Sequence, residues 1–330
     1  MRLGLTLGYS LPQNLDAELA LVEEADRVGY SVCWVAEAYG SDAVTALSYL
    51  AARTRSIDLG SAVLQIPARA PTMTAMTAAS LDMLSGGRFR LGLGVSGPQV
   101  SEGWYGVPFA RPVERTREYV SLVRQALRRE PVSLAGEGKP LKLGLRPVRS
   151  EIPVYLASLG PRNLALTGEI ADGWLGVFVS PGYLGTTLQA LGHTVGDGFD
   201  VVASVPLVMG SDPVRCAELV RPYAALYLGG MGSRQHNFYN ALATRMGYGA
   251  AASEVQEHFL AGRYREAAAA VPYEFVDSTS LLGPPNRIAE RMDAYAEAGV
   301  STLSILPFAS SEEERQRAVR AVAELGRHED

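Results

Sequence analysis

Two carboxylates, Glu37 and Asp42, follow a short apolar run, Ser31 to Ala36, and either could give or take a proton there. Asp42 also sits just ahead of a helical pattern that begins at Ala43, where an aspartate caps the free amides of the first turn. Tyr9, past the first apolar run, and His236, far along the chain, add a phenol and an imidazole to the candidate acid–base groups. None of the four histidines stands at metal-ligand spacing, so no metal site is expected. A second kind of chemistry is offered by Ser96-Gly97-Pro98-Gln99, a loop whose amides have little side-chain cover. It follows Phe89 to Val95, in which Gly92 and Gly94 alternate with bulky residues; glycines near the end of a strand let another strand or a ligand approach the backbone.

These groups need a frame. Period-two apolar patterns predict strands at Leu3 to Gly8, Ser31 to Ala36, Ile57 to Leu64, Phe89 to Val95, Val154 to Ala157, Gly173 to Val177, Val201 to Val208 and Thr302 to Leu306. Helical patterns alternate with them, among them Asp16 to Val28, Ala43 to Arg53, Pro71 to Leu84, Val113 to Arg129 and Glu312 to Leu325. Eight βα units without a break in composition predict a single (β/α)8 TIM barrel over residues 1–330 rather than a doubly wound sheet. In such barrels ligands gather at the carboxyl ends of the strands, which is where Glu37 and Ser96 fall. Two interruptions are expected. Pro131 to Pro147 reads as a hairpin after unit four, and Leu226 to Ser280 as two or three extra helices before the last strand, ordered enough to cover the barrel mouth.

Composition narrows the function. The 330 residues are 47% hydrophobic and 20% charged, enough to bury a large core. A net charge of -5, with no run of Lys and Arg, argues against nucleic acid as a partner. No apolar run approaches the roughly 20 residues that span a bilayer, and the chain opens on a strand rather than a signal segment, so a cytoplasmic protein is expected. Cys33 and Cys216 stand far apart and read as reduced packing residues.

Leu7-Gly8-Tyr9-Ser10, Trp34-Val35-Ala36-Glu37, Leu59-Gly60-Ser61-Ala62-Val63 and Leu81 to Phe89 follow in an order and spacing shared with a known group. So do the Ser96 to Trp104 loop, Leu156 to Arg162, Ala171-Asp172-Gly173 and Gly283-Pro284-Pro285 before a helix ending at Ala298-Gly299-Val300. Over its whole length the chain resembles the bacterial luciferase-like superfamily, and within it the branch that uses the deazaflavin coenzyme F420, typified by methylenetetrahydromethanopterin reductase. The resemblance implies a homodimeric F420-dependent oxidoreductase acting on a small-molecule substrate. An FMN-dependent monooxygenase is the alternative, and a noncatalytic cofactor-binding barrel is a second.

The resemblance also assigns residues. A flavin-like ligand needs amide or hydroxyl donors for its phosphate, and helix amino termini supply them. Ala157 ends a strand, so Ser158 and the amides of Leu159 and Gly160 become phosphate donors, with Arg162 for charge. The plain alternative is a strand-to-helix turn with a serine cap. Ser96, Gly97 and Gln99 fall in the loop that touches the cofactor in the family, and a non-proline cis peptide behind the ring falls on Ala62-Val63. Elsewhere the pattern departs: the family reductase's strand-one carboxylate is replaced by Thr6, and a related dehydrogenase's His and Glu by Ala38 and Pro98. The cofactor scaffold is thus carried over and the acid–base pair is not.

Overall fold

A computed structural model describes residues 1–8, 15–134, 139–149, 151–193 and 198–327. The ten strands among these residues are β1 (Arg2–Leu7), β2 (Val32–Val35), β3 (Asp58–Ser61), β4 (Leu64–Gln65), β5 (Phe89–Gly94), β6 (Val154–Ala157), β7 (Gly173–Val177), β8 (Asp200–Met209), β9 (Leu281–Gly283) and β10 (Thr302–Pro307). Eight of them close a parallel ring in the order β1-β2-β3-β5-β6-β7-β8-β10, with β10 pairing back to β1. This is the expected TIM barrel. The ring strands match the predicted runs closely. The run Ile57 to Leu64 is split, because the chain breaks off after Ser61 and resumes as β4, which pairs with β5. The remaining extra strand, β9, lies outside the ring on the long carboxyl end of β8.

Among the described residues seven helices begin on proline, at Pro71, Pro98, Pro112, Pro161, Pro181, Pro213 and Pro285. A proline at that position loses no helical hydrogen bond, since the first amides have no partner within the helix. Among the described residues the expected hairpin between units four and five shows one antiparallel bridge, Val132 with Leu141; its tip, Gly136-Glu137-Gly138, lies outside the described residues. The insertion before β10 keeps the expected bounds but holds more helices than the two or three expected. It contains the helices Phe238–Ala243, Gly249–Leu260, Tyr264–Ala269 and Tyr273–Ser278 and two π-helical turns. Both cysteines are buried and free, and burial pushes the Cys33 thiol up. Among the described residues no helix is long and apolar enough to cross a membrane.

Inside the barrel, alternation decides what faces the axis. At the amino-terminal end Arg90 pairs with Asp58 at 2.7 Å and Asp200 at 3.2 Å, and Asp200 also accepts from Tyr155 and Thr302. Above this ionic plug sit Val32, Trp34, Leu175 and Val202, all buried. A Cβ on Gly60 would lie 2.2 Å from the Trp34 ring, so only glycine leaves room for the indole at that level. With the amino-terminal end closed, the interior opens at the other.

Candidate active site

The next inward positions toward the carboxyl ends form the mouth: Thr6, Ala36, Ala62, Gly94, Ala157, Val177, Ser204 and Leu306. Most are half-buried, and no ionisable side chain is among them. Such a ring suits a flat, largely apolar ligand.

One side of the ring departs from regular strand. The peptide bond between Ala62 and Val63 is cis, as the resemblance implied, and both residues pack on the interior cluster of Trp34 and Tyr155. β5 makes room for this turn. A Cβ on Gly92 would lie 1.8 Å from the Ser61 carbonyl oxygen, and one on Gly94 would lie 2.5 Å from Val63. The Ser61 hydroxyl completes the contact by donating to the Gly92 carbonyl at 2.8 Å and accepting from the Gly92 amide at 2.9 Å. Of the two uses expected for these glycines, close approach of a strand is therefore the one seen at Gly92.

After β5 the left-handed residue is Ser96, with φ 59°, whereas Gly97 is extended at φ -117° and caps the helix Pro98–Gly103. Gln99 lies in the first turn of that helix and is exposed. Phe178, just past β7, also has a positive φ, 51°. Non-glycine residues in this region cost about 1–3 kcal/mol and cluster at ligand sites.

Glu37 is buried at the end of β2, and its carboxylate is saturated. Arg69 binds it through both oxygens at 2.6 and 2.8 Å, while the amides of Ala43 and Gln65 donate to it at 3.3 and 3.4 Å. A carboxylate has about four acceptor positions, and all four are occupied. Arg69 reaches Asp42 as well, at 2.8 Å. Asp42 caps the helix Ala43–Arg53 by accepting from the Thr45 amide. Burial pushes the Asp42 carboxyl up, but the Thr45 hydroxyl and amide and the Arg69 charge outweigh it and hold the carboxyl below its ordinary value. The Tyr105 phenol is shifted the other way, upward, by burial and by the Glu37 charge, with Arg69 opposing. Nothing in the residue order marks Arg69; a lone arginine three residues after Ile66 carries no pattern, and only folding brings it beneath Glu37.

Across the mouth, Ser158 Oγ lies 2.8 Å from Thr167 Oγ1 in the following helix, and the Ser158 carbonyl accepts from the Trp174 indole. The helix Pro161–Ile170 has Gly160 at its cap and no side chain satisfying its first amides. Leu159 and Gly160 are half-buried beside it and Arg162 is exposed on its first turn. A second cation arrives from the insertion, as Arg245 donates to the Leu159 carbonyl at 2.7 Å. Ser158, Leu159, Phe178, Leu242 and Arg245 contribute to a cleft of about 130 Å³. The insertion thus touches the rim here, and again where Phe238 meets Phe109 at 6.3 Å. His236 is exposed, and its amide donates to Ser233. Tyr9 lies outside the described residues. No three His, Cys, Asp or Glu side chains among the described residues are grouped as a metal site would need.

The chain is 40% identical to a Mycobacterium tuberculosis protein provisionally named a coenzyme F420-dependent oxidoreductase, over 96% of this chain and 98% of that one. It is 28% identical to the 5,10-methylenetetrahydromethanopterin reductase of Archaeoglobus fulgidus, over 85% and 86% of the two chains. The fold superposes on the coenzyme F420-dependent tetrahydromethanopterin reductase of Methanopyrus kandleri with a TM-score of 0.79, at 23% identity, over 98% and 97% of the chains. The luciferase-like monooxygenase family profile matches residues 2–302, and the chain belongs to that family.

Proposed function

We propose that this chain is an F420-dependent oxidoreductase that transfers a hydride between C5 of the deazaflavin and a small organic substrate. The observation that carries the reading is one end of the barrel holding both an uncharged mouth floored by the Ala62–Val63 turn and an uncapped helix amino terminus beside it. The near full-length likeness to the mycobacterial protein supports the choice of cofactor. The residues fit such a group. An apolar ring system suits the mouth at Ala62, Val63 and Ala157, and a phosphate suits the amides of Leu159 and Gly160. Arg162 and Arg245 supply charge there, and Ser158 holds the loop through Thr167. Ser96, Gly97 and Gln99 border the ring from the β5 side. When bound, a 5-deazaflavin supplies two-electron hydride chemistry.

The chain's own contribution is position and exclusion of water. Glu37, saturated by Arg69, acts in this reading as a positioning residue that ties the end of β2 to Gln65, just past the bulge. Asp42 serves as a helix cap, and His236 and Tyr9 remain candidates for proton exchange with the bound substrate.

Separate titrations with F420 and FMN test the reading. F420 is expected to bind the more tightly. Tighter binding of FMN, with reduced FMN supporting substrate-dependent oxygen uptake, would replace it with the monooxygenase alternative.

The proposed homodimer has a surface to match. The helix Pro71–Leu84 carries no charge except the buried Asp82, yet Met73, Met76, Met83 and Leu84 are each 48–54% exposed. Their spacing puts them on one stripe, and an exposed apolar stripe with no charge beside it is normally covered. A second copy of this chain is the proposed cover. Light scattering should find twice the chain mass for the native protein and a monomer for a Met76→Lys, Met83→Glu variant; a native monomer would remove the dimer.

A further inference from the structure

Thr6, Ser204 and Ser304 come from β1, β8 and β10, and the cofactor reading makes no use of them. Thr6 Oγ lies 2.8 Å from Ser304 Oγ and 3.0 Å from Ser204 Oγ. Ser304 is fully buried, whereas Thr6 and Ser204 are half-buried in the mouth. Three hydroxyls carry three donor hydrogens, and the two contacts consume two of them. One O–H is left over, and lone pairs remain beside it. The trio therefore keeps one spare O–H and several spare lone pairs, so it can both donate to and accept from an oxygen atom.

We propose that the Thr6–Ser204–Ser304 trio is the seat of the substrate oxygen, and that the substrate is one member of a neutral alcohol–carbonyl couple. The assignment rests on the oxidoreductase reading for its redox partner. A hydroxyl donates and accepts with equal ease, so one trio holds a carbonyl oxygen through its spare O–H and an alcohol O–H through its lone pairs. A carboxylate at Thr6 would accept only, favouring the alcohol and repelling the carbonyl. Charged substrates fit poorly for a different reason. Ala36, Ala62, Ala157, Val177 and Leu306 offer no counter-charge, and the carboxylates of Glu37 and Asp42 are engaged by Arg69. An ammonium or carboxylate entering this ring would lose its hydration without compensation.

The test titrates cyclohexanol, cyclohexanone and, as charged control, cyclohexylammonium into the protein by calorimetry, with F420 bound and without it. Both neutral probes should bind saturably and the ammonium should not. Thr6→Val should weaken both neutral probes about fivefold to tenfold, the effect of one neutral hydrogen bond, while Thr6→Ser restores them. Ser204→Ala gives a second reading should the Val variant fail to fold. Probe affinity should stay flat between about pH 6 and 9, because no hydroxyl of the trio titrates there, whereas a histidine seat would titrate near its ordinary value of about 6.5. Equal probe binding by the native protein and folded Thr6→Val or Ser204→Ala variants would overturn the assignment. So would tighter binding of the ammonium, or no saturable binding of either neutral probe. Failure of F420 to bind would sink the cofactor reading alone, since the titrations without it judge the trio separately.

Discussion

Replacing Gly92 with alanine should leave a protein destabilised by about 3 kcal/mol or more, although it adds one methyl group to a strand. The new Cβ would lie 1.8 Å from the Ser61 carbonyl oxygen and 2.8 Å from Leu175. Neither can yield cheaply. The carbonyl belongs to the backbone that turns into Ala62 and Val63, and Leu175 is packed in the barrel interior. The Ser61 hydroxyl, bonded to both the amide and the carbonyl of Gly92, would be displaced at the same time. Urea unfolding should show a lower midpoint with a similar slope, and whatever folded protein remains should bind cofactor poorly, because the bulge that floors the mouth has moved. Gly97→Ala is the control. Nothing lies within 4 Å of the place its added methyl group would take and its φ is ordinary, so stability should change by no more than about 0.5 kcal/mol. Comparable losses from the two variants would refute the close-approach account of Gly92.

The second large effect is expected at Arg69. Its guanidinium neutralises Glu37, whose side chain is only 4% exposed, and removing it strands a buried carboxylate. Breaking such a pair from one side typically costs about 3–5 kcal/mol. Arg69→Ala should fall in that range, and Glu37→Gln, which keeps shape and removes charge, should cost less. The double variant Glu37→Gln, Arg69→Met should recover part of the loss, since no uncompensated charge is left. A cycle of urea unfolding curves measures this. Additive losses would mean that the pair is not coupled, and would reopen Glu37 as a group free to exchange protons. Full F420 affinity in Glu37→Gln would also separate a positioning role from direct contact with the cofactor.

The order of elements was legible in the residues because it depends on local pattern. Short apolar runs marked the eight ring strands to within a residue or two except at β3, where the run Ile57 to Leu64 is split, since strands buried on both faces are largely apolar. Gly92 and Gly94 announced a close approach, since glycine acts through its own backbone. The likeness to a known family carried the cis peptide at Ala62-Val63, which no local pattern predicts. Contacts across the barrel were not legible. Nothing in the residue order sets Arg69 against Glu37 or pairs the Ser158 hydroxyl with Thr167; folding does both. Gly97 is by type the residue for unusual backbone, yet Ser96 takes the left-handed turn while Gly97 begins the helix. Thr6, Ser204 and Ser304 are separated by up to 298 positions and become one group only when β10 closes on β1. Strand and helix follow from which neighbours in sequence can share a face; the chemistry of this mouth follows from which distant side chains ring closure forces within hydrogen-bonding distance, and that is decided by tertiary structure alone.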